Sequence, residues 1–81
     1  MARVLLFGRL RDVAGWRERE IEPVPATLAG LRAFLSAEDA ALGEALTAKG
    51  VQVAIDKVVA RGDVALARGT EVAFLPPMSG G

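Results

Sequence analysis

Apolar residues run unbroken from Val4 to Phe7, and the segment Ala2 to Arg9 around them predicts a short strand with both faces partly covered. Side chains alternate along a strand, so Val4 and Leu6 share one face while Leu5 and Phe7 share the other. Leu10 to Gly15 predicts a bridging turn with room for one helical turn ending at Gly15. Trp16 to Glu22 predicts a second strand, whose dense charge suits a sheet edge guarded against pairing with other chains. Pro23 and Pro25 end that pattern. Thr27 is placed to cap a helix carrying Leu28, Leu31 and Leu35 on one stripe, with Phe34 beside it. A second helical pattern runs from about Asp39 to Lys49, with Leu42, Ala45 and Leu46 at helical spacing. Lys49 suits the negative end of its dipole and Gly50 its C′ position. Val51 to Ile55 and Val58 to Ala60 read as strands joined by a turn at Asp56-Lys57, and Arg61-Gly62-Asp63 is turn chemistry. Thr70 to Leu75 is the last strand. Pro76-Pro77 stops it, because neither proline can donate to a ladder.

This order predicts an α+β domain, a mixed sheet of about five strands with helices packed on one face. If the helices cover the Val4/Leu6 face, the opposite face stays partly open. Val72 and Phe74 then point to the core, Ala73 and Leu75 away from it, and Val59 away from Val58 and Ala60. Phe7, Val59 and Leu75 would form an exposed apolar patch beside the chain end, the usual mark of a partner site. A slip of one residue in strand parity would instead bury all three.

Composition narrows the chemistry. At 81 residues and 52% hydrophobic, the chain suffices for one compact core, expected over residues 1–77, with 78–81 as a flexible tail. Ten basic and ten acidic residues cancel, which leaves no electrostatic footprint for nucleic acid. There is no cysteine and no histidine. That removes disulfides, thiol nucleophiles, the commonest general base and the ligands of a soft-metal site. No phosphate-cradling glycine loop is visible. The first apolar run is too short for a secretion signal or a bilayer span, so a soluble cytoplasmic protein is expected. Such a chain enters a reaction as substrate or carrier.

The chemical feature is the end of the chain. Glycine is about 7% of average sequence, so two terminal glycines arise by chance in about 0.5% of chains. Here they follow a strand, a rigid Pro76-Pro77 element and the short linker Met78-Ser79. Without Cβ atoms, Gly80 and Gly81 can thread a narrow channel and let another enzyme's groups approach the backbone. A carboxylate becomes electrophilic once its oxygen is made a leaving group. Activation of the Gly81 carboxylate by ATP to an acyl-adenylate, followed by displacement of AMP by sulfur, would give a thiocarboxylate.

The whole chain resembles the small subunit of molybdopterin synthase, a MoaD-type, ubiquitin-like sulfur carrier. The resemblance is carried by VLLFGRLRDVAG (Val4 to Gly15) and GTEVAFLPPMSGG (Gly69 to Gly81), while Glu22 to Gly50 matches in pattern and length more than in identity. Asp56 stands where asparagine is common, and Gly69-Thr70 replaces a more acidic turn before Glu71. The resemblance implies the β-grasp fold. It implies a non-catalytic sulfur-donor subunit that binds no cofactor itself, ATP being used by a ubiquitin-activating-like adenylyltransferase. It further implies a sulfur donor protein, and a large synthase subunit that holds the catalytic residues. The tail would enter that subunit and give sulfur to cyclic pyranopterin monophosphate, in a heterotetramer of two small and two large subunits. Phe7, Val59 and Leu75 match the family's partner-facing apolar positions, and Pro76 to Ser79 lead the tail into the partner. A sulfur carrier for thiamine synthesis, a ubiquitin-like protein modifier and a plain interaction module remain alternatives.

Overall fold

A computed structural model describes residues 1–77; the expected tail, Met78 to Gly81, lies outside the described residues. The elements are β1 (Ala2–Leu6), α1 (Arg9–Ala14), β2 (Glu18–Ile21), α2 (Leu28–Glu38), α3 (Ala40–Leu46), β3 (Gln52–Ile55), β4 (Val58–Ala60) and β5 (Glu71–Leu75). The five strands form one sheet in the order β2-β1-β5-β3-β4. β1 and β5 run parallel and the other neighbours antiparallel, so the sheet is mixed, as expected. The last strand is therefore central, with β1 on one side and β3 on the other.

Strand alternation sorts the side chains. Val4, Leu6, Val53, Val72 and Phe74 turn toward the helices and are buried with Leu28, Leu31 and Leu35 of α2, Leu42 and Leu46 of α3, and Leu10 of α1. The leucine stripe of α2 forms because positions i, i+3 and i+7 share a helix face. Its start is fixed by the Thr27 hydroxyl, which accepts from the Gly30 N–H at 3.1 Å. Asp63 adds a second anchor, its carboxylate accepting from the N–H groups of Ala29 (2.9 Å) and Val64 (3.0 Å). The Arg61-Gly62-Asp63 turn thus serves the helix start.

Three elements depart from the sequence reading. The bridge after β1 is a six-residue helix, closed where the Gly15 N–H donates to the Arg11 carbonyl at 2.9 Å. β2 is shorter than Trp16 to Glu22, because Trp16 turns to pack against the core before the strand begins. The second helical pattern starts where expected, at Asp39, whose extended backbone ends α2 and whose carboxylate caps α3 through the Leu42 N–H at 3.2 Å, but it ends early. α3 then stops at Leu46, short of Lys49. Arg32 of α2 donates to the Leu46 carbonyl at 3.0 Å, and the Thr47 hydroxyl takes the Glu44 carbonyl at 2.8 Å. These bonds satisfy carbonyls that further helix would have used. Gly50 accordingly lies beyond the helix end, in the loop before β3.

Candidate functional site

The face away from the helices carries an apolar row in strict register: Leu5 opposite Ala73, Ala73 opposite Ala54, Ala54 opposite Val59. The next row toward the chain end contains Leu75 opposite Gln52. Leu6 pairs with Phe74 in the parallel β1/β5 ladder, so Phe7, one residue on, comes beside Leu75. Phe7 is 45% exposed and Val59 50%, while Leu75 is half-buried. Ala54 and Ala73 are nearly covered. The arrangement is a shallow trough: two alanines form the floor, Val59 one rim, and Leu5, Phe7 and Leu75 the other.

Charge borders the apolar row. Arg3 lies opposite Glu71 and Glu20, Leu5 lies opposite Glu18, and the Arg3 guanidinium is 3.7 Å from Glu18. Both partners of that ion pair are about half exposed, so it orients more than it stabilises. The apolar surface thus spans β1, β5, β3 and β4, bounded by Glu18 at the β2 edge and by the Arg3 row on the side away from the chain exit.

The structure places Phe7 and Leu75 side by side, with Val59 two strands from β5 at the end of the alanine floor. Pro76 and Pro77 continue directly from β5. Met78, Ser79, Gly80 and Gly81 are outside the described residues. Sequence reasoning placed Leu5 and Ala73 on the open face but outside the Phe7/Val59/Leu75 patch, and it did not place Ala54 there. The signal was present, because residues two apart on a strand share a face: Leu5 with Phe7, Ala73 with Leu75. It also missed Gly8 and Gly50, which pack against Pro76 and Pro77 respectively.

Elsewhere the polar groups serve the fold. A groove of about 440 Å³ between α2 and the β3–β4 edge is lined by Leu28, Arg32, Val53, Val59, Arg61 and Asp63. Its Asp63 carboxylate is already occupied by backbone N–H groups. Among the described residues no three His, Cys, Asp or Glu side chains converge on a metal-sized site, and no helix is long and apolar enough to cross a membrane. On the helix side, Arg19 makes a bidentate contact with Glu38 at 2.6 and 3.0 Å. Its guanidinium lies 5.7 Å from the Trp16 ring centre and 5.9 Å from that of Phe34. Hydrogen bonding from Arg19 holds the Glu38 carboxyl below its ordinary value, and Glu38 raises Arg19 in return. This pair ties β2 to α2, on the other side of the sheet from the trough.

Comparison with known proteins agrees with the fold. The profile of the ThiS family matches residues 4–81. The molybdopterin synthase sulfur carrier subunit of Escherichia coli (strain K12) is 31% identical over 81 residues, covering 100% of both chains. Among solved structures, small archaeal modifier protein 1 from Haloferax volcanii superposes with a TM-score of 0.84 at 28% identity, covering 99% of this chain and 98% of that one. A protein described as a molybdopterin converting factor, subunit 1, from Pyrococcus furiosus gives a TM-score of 0.80 at 27% identity, covering 95% and 97%.

Proposed function

The chain belongs to the ThiS family, and from that premise we propose that it is the sulfur-carrier subunit of a molybdopterin synthase. The observation that carries this reading is the apolar surface on the open face: Phe7 and Leu75 lie beside the point where β5 runs into Pro76-Pro77, four residues before Gly81. A partner seated on Phe7, Leu75 and Val59 would receive the tail as it leaves the sheet. The likeness to the carrier subunit of Escherichia coli supports the choice of pathway.

In this reading the Gly81 carboxylate attacks the α-phosphorus of ATP on an adenylating enzyme, and pyrophosphate leaves. A sulfide-level nucleophile from a donor protein then attacks the acyl-adenylate carbonyl and expels AMP, leaving a thiocarboxylate. In the large synthase subunit the sulfur passes to cyclic pyranopterin monophosphate, and water restores the carboxylate. This chain's own part is to dock, to present its end and to keep side chains away from it. Catalytic groups, ATP site and sulfur source belong to the partners. The assembly would be a cytoplasmic heterotetramer of two small and two large subunits.

Intact mass spectrometry tests this directly. Incubation with the cognate activating enzyme, ATP and a sulfur source should raise the mass by the difference between sulfur and oxygen. Addition of one residue after Gly81 should abolish the gain. An unchanged mass under conditions that charge another carrier, or full transfer by the extended chain, refutes the reading.

A second reading has its own support. The superposition on small archaeal modifier protein 1 favours a role as a protein modifier, with Gly81 joined to lysine amines through the same adenylate. Isopeptide-linked peptides ending in the tail sequence, sought in host lysate, decide whether this activity accompanies sulfur transfer.

A further inference from the structure

β5 leaves the sheet between two loops that each turn on a glycine with positive φ. Gly8 (φ +56) follows β1 on one side, and Gly50 (φ +91) precedes β3 on the other. A methyl group placed on Gly8 would lie 3.0 Å from Cγ of Pro76. One placed on Gly50 would lie 3.0 Å from Cβ and 3.3 Å from Cγ of Pro77. Gly15, Gly62 and Gly69 also have positive φ, yet a methyl group on any of them would meet nothing within 4 Å. Those three glycines answer a backbone demand alone. Gly8 and Gly50 also answer a demand for space, and the same two-proline element makes it from opposite sides.

Pro76 and Pro77 have no N–H, so neither can donate a ladder bond to β1 or β3. Past the strand end the two glycine loops pack against them from either side. We propose that Gly8 and Gly50 form a collar that sets the direction in which the chain leaves the globule at Pro77, which makes them positioning residues for chemistry at Gly81. The link to that chemistry rests on the sulfur-carrier reading; the collar itself rests on the packing. Four residues follow Pro77, and four span at most about 14 Å. A 30° change of direction at the base would then move an extended end by about 7 Å. Misplacement of a reacting group by even about 1 Å can cost on the order of a hundredfold in rate.

The test compares Gly50→Ala with Gly62→Ala in the full chain. Both variants carry the positive-φ penalty, but only the first crowds a proline. Gly8→Ala is a supporting variant, since Gly8 also caps α1. With the activating enzyme and ATP, Gly50→Ala should lower kcat for Gly81 adenylation by about tenfold or more at a KM near wild type, and Gly62→Ala should leave kcat unchanged. A purely structural defect would be overcome at saturating carrier and appear in KM. Equal kcat for the two variants overturns the proposal. A second measurement does not need activity: residual dipolar couplings of the Met78 amide should change in Gly50→Ala and not in Gly62→Ala. Unchanged couplings in both variants would sink the collar even where the wild type charges normally. Altered couplings in a protein that never charges would keep the collar and remove the sulfur-carrier reading.

Discussion

Asp56 and Glu71 exchange two hydrogen bonds: the Asp56 N–H donates to the Glu71 carbonyl at 2.9 Å, and the Glu71 N–H donates to the Asp56 carboxylate at 2.9 Å. Asp56 (φ +48) and Lys57 (φ +73) form the turn between β3 and β4, both in the left-handed region that a two-residue hairpin turn requires. Aspartate tolerates that region better than most residues. One residue therefore closes the hairpin and fixes where β5 begins against β3, and with it the register that sets Leu75 opposite Gln52.

This double role predicts a graded response. Asp56→Asn keeps both the acceptor and the tolerance of positive φ, so its stability should stay within about 0.5 kcal/mol of wild type. Asp56→Ala loses both and should cost about 1–2 kcal/mol. Urea unfolding with unchanged slope provides the comparison. Alanine matching wild type would mean the exchange is incidental.

The helix pair gives a prediction in which two effects oppose each other. Gly43 of α3 faces α2 so closely that a methyl group there would lie 2.8 Å from the Ser36 Cα, with the Ser36 side chain closer still. Alanine gains about 1 kcal/mol of helix propensity over glycine, whereas overpacking costs about 1–3 kcal/mol. Because backbone is among the crowded atoms, the helices must move apart and the cost should win. Gly43→Ala should lose about 1 kcal/mol net. Gly30→Ala in α2, where a methyl group finds ordinary contacts at 3.5 and 3.6 Å, should be neutral or stabilising. A stabilised Gly43→Ala protein would contradict the close helix contact.

Which of these features could be read from the sequence follows from how local their causes are. The faces of β1 and β5 were legible because strand alternation is a property of neighbouring residues, and so was the Thr27 cap before the Leu28/Leu31/Leu35 stripe. The end of α3 was not. Lys49 and Gly50 look like a helix terminus, but Arg32, fourteen positions before Leu46, ends the helix by taking its carbonyl. The packing of Gly50 on Pro77 and the pairing of Arg19 with Glu38 likewise join residues far apart in the chain. For the trough, Phe7, Val59 and Leu75 could be named from alternation. That two alanines, Ala54 and Ala73, pave the floor between them follows only from the sheet order.

The Arg19–Glu38 pair predicts a pH dependence of defined sign. Hydrogen bonding from Arg19 lowers the Glu38 carboxyl in the folded protein. A depressed carboxyl adds stability above its unfolded value and loses it as pH falls through the folded one. The Tm difference between wild type and Glu38→Gln should thus be full at neutral pH and shrink on acidification below the ordinary glutamate range. Arg19 is raised, so its contribution persists across the whole accessible range. Both side chains are roughly two-fifths exposed, so added salt should also narrow the difference. A difference constant from neutral to acid pH would show that the contact carries no linkage.

The open face predicts a separation between folding and binding. Phe7 is 45% exposed and lies outside the buried cluster, whereas its neighbour Leu6 is 2% exposed within it. Leu6→Ala removes a core side chain and should cost about 2–5 kcal/mol of stability. Phe7→Ala gives up contacts on one side only and should cost less than about 1.5 kcal/mol. Against a large synthase subunit the order should reverse in kind. An exposed aromatic beside an apolar trough is the type of residue that dominates an interface, and its truncation there costs about 2 kcal/mol or more, about thirtyfold in Kd. Calorimetric titration of the partner beside urea unfolding of each variant separates the two quantities. If Phe7→Ala loses as much stability as Leu6→Ala, Phe7 belongs to the core. If it loses neither stability nor affinity, the trough is not where the partner sits.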